Sequence, residues 1–196
     1  LVLTVAGPAS ARLVAHYGFE NNTLDTSGYE RNAVAHGNPT YGAGKFGRAI
    51  HFDGLDDYVE ATPFKYTSDQ GEFGLTFWFK IKTIPDTATN QGFPYLFSHG
   101  MTNRSNNISI YFRSAEFDQR THTRLMNPNN PEDIRGTGGP VWITDLPATD
   151  MADGQWHMYA ITSSSIDGGT IYIDGKVMST SPAYRGDMVN LVDTIN

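Results

Sequence analysis

The nearest approach to a catalytic pair in the sequence is Glu116 with Asp118, two carboxylates separated by one residue. Alternate side chains of a β-strand face the same side, and two carboxyl groups about 5 Å apart are what a retaining glycosidase needs. The pair, however, opens a segment with no clear strand pattern. The sequence also has no Ser-His-Asp arrangement, no HExxH motif and no glycine-rich phosphate loop. These features predict that the chain is not an enzyme.

Oxygen ligands for calcium are better supplied than catalytic groups. Calcium takes six to eight oxygens from carboxylates, amides and backbone carbonyls, usually in a flexible loop. One polar loop offers Glu20, Asn22 and Asp25, and Asp57 follows a turn further along the chain. These four residues predict a calcium site near 20–25. The alternative is that such side chains hydrogen-bond their own backbone and only shape turns.

Aromatic and basic side chains at alternate positions of three predicted strands indicate a surface for ligand contact. Trp78 and Lys80 share one face of the first strand, Tyr111 and Arg113 share a face of the second, and Tyr159 lies on the third. A flat ring stacks on the C–H face of a sugar while neighbouring polar groups hold its hydroxyls. The pattern predicts a glycan-binding face. The alternative is that the long irregular segment between the second and third strands covers and buries it.

The elements that must position these residues are strands. Residues 73–82 give the strongest signal, with apolar side chains at every second position and polar ones between them. Other alternating segments are joined by turns at Asp53-Gly54 and Asp174-Gly175, where glycine supplies a positive φ. We find no helix pattern and therefore predict an all-β fold. The residues predicted to form its core are Phe73, Leu75, Phe77, Phe79, Ile108, Ile110, Phe112, Trp156, Met158, Ile171 and Ile173.

Composition limits the class of protein. A chain of 196 residues, 39% of them hydrophobic, can bury the core of one β-sandwich domain. A net charge of −7 with scattered basic residues argues against nucleic acid and anionic membranes as partners. Cysteine is absent, so disulfides and thiolate chemistry are excluded. No apolar stretch approaches the ~20 residues that span a bilayer.

The sequence divides into two segments at residue 12. Residues 1–12 are predicted to be a linker or the end of a preceding domain, since an apolar run there is followed by Gly7-Pro8. Residues 13–196 are predicted to form the domain. Within it, residues 114–153 are predicted to be an elaborated loop, because their pattern is rich in turn residues.

Several motifs together are similar to a known family. They are the segments Leu13–Glu20 (LVAHYGFE), Ala49–Glu60 (AIHFDGLDDYVE), Asp153–Ala160 (DGQWHMYA) and Thr170–Lys176 (TIYIDGK). In this order they resemble the laminin-G-like jelly-roll domains of the concanavalin A-like lectin/glucanase superfamily. The resemblance implies an antiparallel two-sheet jelly-roll sandwich.

The resemblance also shows where the chain departs from the family. Some glucanases of the superfamily use Glu-x-Asp-x-x-Glu on one strand, and here Thr121 stands where the third acid would be. In the family, closing strands follow the hairpin that ends in the second Asp-Gly turn. Residues 178–196 leave little room for them, so either the sandwich lacks these strands or the N-terminal segment takes their place.

These observations favour a non-catalytic, secreted or cell-surface recognition module. Its predicted ligand is a glycan or a glycosylated partner, with calcium assistance, and neighbouring domains of a longer chain are further predicted partners. The alternative is a structural or assembly domain of a larger extracellular protein. A polysaccharide-cleaving enzyme is the least favoured hypothesis.

Overall fold

A computed structural model of the chain describes residues 2–5, 12–61, 73–82, 95–99, 107–112, 120–126, 140–147, 151–164 and 168–181. These residues form β-strands joined by turns and loops, and none of them is helical. The strands are β1 (Val2–Val5), β2 (Arg12–His16), β3 (Ala33–His36), β4 (Thr40–Ala43), β5 (Arg48–His51), β6 (Tyr58–Ala61), β7 (Phe73–Lys80), β8 (Tyr95–His99), β9 (Asn107–Phe112), β10 (Arg120–Met126), β11 (Pro140–Pro147), β12 (Trp156–Ser164), β13 (Gly168–Ile173) and β14 (Lys176–Ser181).

Two principal sheets make up the architecture. A six-stranded sheet has the order β14-β13-β12-β7-β1-β2, and a four-stranded sheet has the order β11-β10-β9-β8. The pairs β3–β6 and β4–β5 form two smaller sheets. All pairings between these strands are antiparallel. The predicted all-β fold, an antiparallel two-sheet jelly-roll sandwich, is confirmed.

The core lies between the two principal sheets. Alternate residues of β7 are buried from Phe73 to Phe79, as the period of two requires. The four-stranded sheet contributes Ile108 and Phe112, and the rings of Phe79 and Phe112 meet with centroids 6.2 Å apart. Nine of the eleven predicted core residues are buried, and the two exceptions both lie on β12. Truncating a buried phenylalanine such as Phe77 to alanine would cost ~3–5 kcal/mol.

Strand β12 has the opposite phase from the predicted one. Trp156 and Met158, predicted to lie in the core, are only half-buried. Tyr159 and Ile161 are buried instead, with Tyr159 stacked on Phe77 at a centroid distance of 5.3 Å. A tyrosine fits this position because its hydroxyl has a hydrogen-bond partner within the core.

The N-terminal segment belongs to the domain. Strand β1 pairs with β2 on one side and with β7 on the other, so it lies inside the six-stranded sheet. The prediction that residues 1–12 are a linker or the end of a preceding domain is therefore wrong for β1. The physical reason is that β2 and β7 each have an edge of unpaired backbone groups, which β1 satisfies.

The segment predicted to be an elaborated loop at 114–153 contains two strands. Strand β10 pairs with both β9 and β11 over its length. The sequence pattern does not predict β10, because backbone pairing on both sides does not need an apolar alternation. Thr123 of β10 is buried by hydrogen bonding rather than by apolar character.

Both predicted Asp-Gly turns are confirmed. Gly54 has φ +79° and Gly175 has φ +77°, values that glycine adopts without steric cost. Asp174 also has a positive φ, 51°, so the two residues between β13 and β14 match a type I′ turn. This turn fixes the register of the hairpin.

Candidate functional site

The residues on the outer face of the six-stranded sheet are those that alternate with its core residues. On β7, Trp78 and Lys80 are exposed, while Phe77 and Phe79 between them are buried. Residues directly opposite each other in antiparallel strands share a face. Across β7, β12, β13 and β14 the register therefore places on the outer face Gly74, Thr76, Trp78, Lys80, Trp156, Met158, Ala160, Thr162, Thr170, Tyr172, Val177 and Thr180.

Trp78 is the centre of an exposed aromatic cluster on this face. Its side chain is 39% exposed, and Phe46, which is 71% exposed, meets it edge to face with ring centroids 5.7 Å apart. The Nζ of Lys45 lies 5.0 Å from the centroid of the Trp78 ring. An ammonium at this distance is attracted by the ring quadrupole. We call Lys45, Phe46, Trp78 and Lys80 the Trp78 surface.

Lys45 and Phe46 reach Trp78 from the turn between β4 and β5. Gly44 donates its N–H to the carbonyl of Gly47 at 3.0 Å, which closes the turn. Gly47 has φ +58°, and a Cβ there would overlap a carboxylate oxygen of Glu20. Glycine is favoured at this position by its φ, and a larger residue would also have to move the Glu20 carboxylate.

The loop that contains Glu20 and Asn21 holds this turn in place through hydrogen bonds to Arg48. The backbone N–H of Arg48 donates to both carboxylate oxygens of Glu20, at 3.1 and 3.2 Å. Its guanidinium donates to Asn21 Oδ1 at 3.0 Å and to the Tyr41 carbonyl at 2.9 Å. Phe19 and Asn21 have positive φ values of 56° and 60°, an uncommon conformation for a bulky residue such as Phe19. We call Glu20, Asn21 and Arg48 the clasp.

Sequence reasoning missed Lys45 and Phe46. The signal was a phenylalanine inside a glycine-rich turn, a position where an apolar side chain has no core to enter. Their nearness to Trp78 could not be predicted, because it depends on a contact between segments thirty residues apart in sequence.

Only part of the predicted ligand face is assembled by the structure. Trp78 and Lys80 lie together on an exposed face. Tyr159 is fully buried in the core and Tyr111 is 4% exposed, so their assignment to an accessible binding face is wrong. Tyr159 faces the core because β12 has the phase described above. Tyr111 is buried because both faces of β9 are covered, so that every residue from Ile108 to Phe112 is buried. Arg113 lies outside the described residues.

The four predicted calcium ligands direct their oxygens to backbone donors. Glu20 accepts from Arg48 N–H, and Asn22 Oδ1 accepts from Leu24 N–H at 3.0 Å. Asp57 accepts from the N–H groups of Asn38 and Asp53, at 2.7 and 2.9 Å. These contacts match the alternative of side chains that shape turns. Among the described residues, Glu20 and Asp25 do not gather with Asp57 in one group of carboxylates, and a calcium site near 20–25 stays a prediction.

Asp25, the remaining predicted ligand, is the most enclosed of the three carboxylates in the set of four. It accepts hydrogen bonds from His16 N–H, Arg31 N–H, and both the N–H and the hydroxyl of Ser27, all between 2.7 and 3.0 Å. Burial opposes its ionisation, but these hydrogen bonds outweigh burial and lower the pKa of Asp25. Its role in this geometry is to hold loop 17–31 together.

One of the predicted ligands, Asp57, does belong to a cluster of three carboxylates. Asp53, Asp56 and Asp57 each place one oxygen within 4.8 Å of the others at the Asp53-Gly54 turn. Asp53 Oδ1 accepts from Leu55 N–H at 2.8 Å. Exposed acidic groups often gather at turns without an ion, so the cluster does not by itself identify a metal centre.

His157 joins two loops at one end of the six-stranded sheet. Its Nδ1 lies 2.8 Å from Asp174 Oδ2 and its Nε2 lies 3.1 Å from Asp153 Oδ1. Burial disfavours the imidazolium, but hydrogen bonds to the two carboxylates outweigh burial and raise the pKa of His157. Asp174 also accepts from Met158 N–H at 2.8 Å, so the three side chains tie the Asp174-Gly175 turn to β12.

Glu116 and Asp118, the predicted mimic of a catalytic pair, lie outside the described residues. Within the part of the chain that the structure describes, no helix has the length and apolar character needed to cross a bilayer.

Comparisons with known proteins agree with this architecture. A family model of the concanavalin A-like lectin/glucanases superfamily matches residues 52–193. None of the curated protein sequences compared with the chain matches it.

Solved structures with similar folds include binding domains of bacterial toxins. The binding domain of Paraclostridial Mosquitocidal Protein 1 matches with TM-score 0.61 and 16% identity, over 94% of this chain and 41% of that one. The binding domain of botulinum neurotoxin DC, in complex with rat synaptotagmin II, matches with TM-score 0.56 and 18% identity, over 91% and 40%. A structure of botulinum neurotoxin type C, whose cell entry depends on two ganglioside molecules, matches with TM-score 0.56 and 16% identity, over 91% and 40%.

At these identities the solved structures show a shared fold, and the chain spans about two fifths of their length. The family model, in contrast, covers well over half of the chain. The motifs, the two-sheet architecture and this match agree, and the chain belongs to the laminin-G-like family of the concanavalin A-like lectin/glucanases superfamily.

Proposed function

We propose that this chain is a non-catalytic, extracellular recognition module that binds a glycan or a glycosylated partner at the Trp78 surface. The observation that carries the proposal is the exposed Trp78 ring with Phe46 set against it edge to face. Large aromatic rings are expensive to leave in water, and an exposed cluster of them commonly marks a binding site.

The geometry of the cluster suits a sugar. A saccharide offers a flat C–H face that stacks on a ring, and its hydroxyls need polar neighbours. Lys80 lies two residues along β7 from Trp78, which is about 7 Å on the same face. Lys45 lies over the ring itself. Aromatic area and hydrogen-bond donors are therefore available within the width of one or two sugar rings.

The comparisons support recognition rather than catalysis. The family belongs to a lectin/glucanases superfamily. Two of the similar solved structures are described as binding domains, one of them in complex with synaptotagmin II, and a third is of a toxin whose cell entry depends on two ganglioside molecules. Fold similarity alone does not carry a ligand from one protein to another. We infer for this chain only the class of ligand that its own surface fits.

Substitution of Trp78 tests the proposal. Because Trp78 points away from the core, Trp78→Ala is expected to leave the chain folded and to reduce retention on a glycan array about tenfold. Loss of the contact with Phe46 is expected to lower the melting temperature by no more than about 6 °C. Val177→Ala, on the same face at the sheet edge, is the matched control and is expected to leave retention unchanged. Equal glycan retention by Trp78→Ala and the unaltered chain would contradict the proposal.

Calcium assistance remains a prediction from the sequence and forms a separate part of the proposal. A bound ion that prefers the folded state would raise the melting temperature by mass action. Melting curves and glycan retention measured in calcium and in chelator test it. Identical midpoints and identical retention in both buffers would remove calcium from the proposal and leave glycan recognition in place.

A further inference from the structure

We propose that the ligand of the Trp78 surface is an acidic saccharide and that Lys45 selects it over neutral ones; this inference rests on the proposed glycan recognition. The first observation is charge. The described members of the outer face include Lys80 and no carboxylate, and Lys45 lies against its central ring. This is a locally positive surface on a chain whose net charge is −7.

The two lysines are available to an anion. Among the described ion pairs, none involves Lys45 or Lys80. Glu20 touches the same turn, but both its oxygens accept from Arg48 N–H. A carboxylate or sulfate on a bound sugar would therefore meet two ammonium groups without first displacing a protein carboxylate.

The second observation is where the Lys45 ammonium lies. Its position over the Trp78 ring is where a stacking sugar would compete with it. A neutral sugar on that side must displace the ammonium and gains no ion pair in return. A cation–π contact at an exposed site is worth about a two- to fivefold factor in an equilibrium constant. Lys45 thus weakens neutral ligands by about that factor.

An acidic sugar recovers the free energy that it loses by displacing the ammonium. It displaces the same ammonium from the ring, but its anionic group then pairs with that ammonium. Only the flexible lysine stem has to move, because the clasp holds the backbone of the turn. Lys45 therefore weakens the binding of neutral saccharides and strengthens the binding of acidic ones.

The experiment uses a glycan array in which sialylated, sulfated and uronic-acid saccharides are each spotted beside a neutral parent, the methyl ester for the carboxylates and the unsulfated sugar for the sulfates. The unaltered chain is compared with Lys45→Met, which keeps the stem and removes the charge, and with Lys45→Arg, which keeps the charge. Lys176→Met removes an equal charge at the β13–β14 turn and is the matched control. Affinities for the best spots are then measured by titration at two salt concentrations.

The expected result is a preference for acidic spots that weakens with salt. Lys45→Met is expected to weaken acidic saccharides about three- to tenfold and to strengthen their neutral parents about two- to fivefold. Lys45→Arg and Lys176→Met are expected to retain the preference. Which acidic class is retained distinguishes carboxylate from sulfate.

Two results would overturn the inference in distinguishable ways. If neutral parents bind as well as acidic saccharides, and both depend on Trp78, then acid selection is wrong and glycan recognition holds. If no spot retains the unaltered chain, or retention does not depend on Trp78, the proposed function fails and the inference fails with it.

Discussion

The hydroxyl of Tyr159 shares a hydrogen bond of 2.6 Å with Oγ1 of Thr123, and both groups are buried between the two sheets. It is a polar contact that links β12 of one sheet to β10 of the other. Burial raises the pKa of Tyr159 above its ordinary value, so the phenol stays neutral at physiological pH. An unpaired hydroxyl at this depth would be costly, which makes the pair a sensitive test of the sandwich.

Tyr159→Phe is expected to destabilise the fold by ~1–3 kcal/mol, because it leaves the Thr123 hydroxyl buried without its partner. Tyr159→Phe combined with Thr123→Val is expected to cost less than the sum of the two single changes, since neither polar group then remains. Urea unfolding of the four proteins gives this interaction free energy. Strict additivity would show that the two hydroxyls do not interact.

The His157 contacts predict a pH dependence of stability. The pKa of His157 is raised in the fold, so its contribution is complete below its ordinary value near 6.5 and is lost as pH rises through the folded value. The pKa values of Asp153 and Asp174 are lowered, so their contributions are lost as pH falls below about 4. The trio therefore stabilises the fold most between about pH 4 and pH 6.5.

The melting temperature of His157→Gln tests this pH range. Its melting temperature is expected to fall below that of the unaltered chain by several degrees at pH 5.5 and by less at pH 8.5, because one kcal/mol corresponds to about 2–4 °C in a domain of this size. His51→Gln, on an exposed position of β5, is the control. A deficit that is the same at both pH values would show that the imidazole acts only by packing.

Asp25 is predicted to stabilise the fold without an ion. Asp25→Ala removes the acceptor for four donors, three in loop 17–31 and one on β2, and is expected to cost ~1.5–3 kcal/mol or more. Since those donors are protein groups, the loss should be equal in calcium and in chelator. A loss seen only in calcium would show that Asp25 is a metal ligand after all.

The clasp is predicted to position the Trp78 surface. Glu20→Ala removes both oxygens that accept from Arg48 N–H. The turn that carries Lys45 and Phe46 would lose this hydrogen bond, so glycan retention is expected to fall. Glu60→Ala, on β6, is the control. If retention is unchanged in Glu20→Ala, the turn is held without the carboxylate.

Strand β7 could be predicted from the sequence because its two faces differ in chemistry. The apolar side chains from Phe73 to Phe79 alternate with Thr76, Trp78 and Lys80 on the other face. Strand β12 could not be assigned a phase in the same way. Trp156 and Met158 are as apolar as Tyr159 and Ile161, so both faces satisfy a hydrophobic pattern. What decides the phase is the hydroxyl partner of Tyr159 on a strand from the other sheet.

The candidate site shows the same limit. Trp78 and Lys80 were found because they lie on one strand, whose alternation fixes their common face. Of the clasp, the sequence singles out only Glu20, as a calcium ligand. Its hydrogen bond with Arg48 could not be predicted, because the two residues are 28 positions apart and their pairing is a tertiary contact. Local patterns identify which residues share a strand face, and they do not identify which loops meet.

The position of β1 has a consequence for how the chain assembles. Strands β1 and β2 are close in sequence and can close as a hairpin early, whereas Val2 meets Thr76 only after more than seventy residues have been made. Because bringing distant segments together costs loop entropy, docking of the hairpin onto β7 is expected to be among the slower steps of folding. Until that step, β7 presents an open edge beside a run of phenylalanines, and it is during this interval that the nascent chain is most exposed to aggregation.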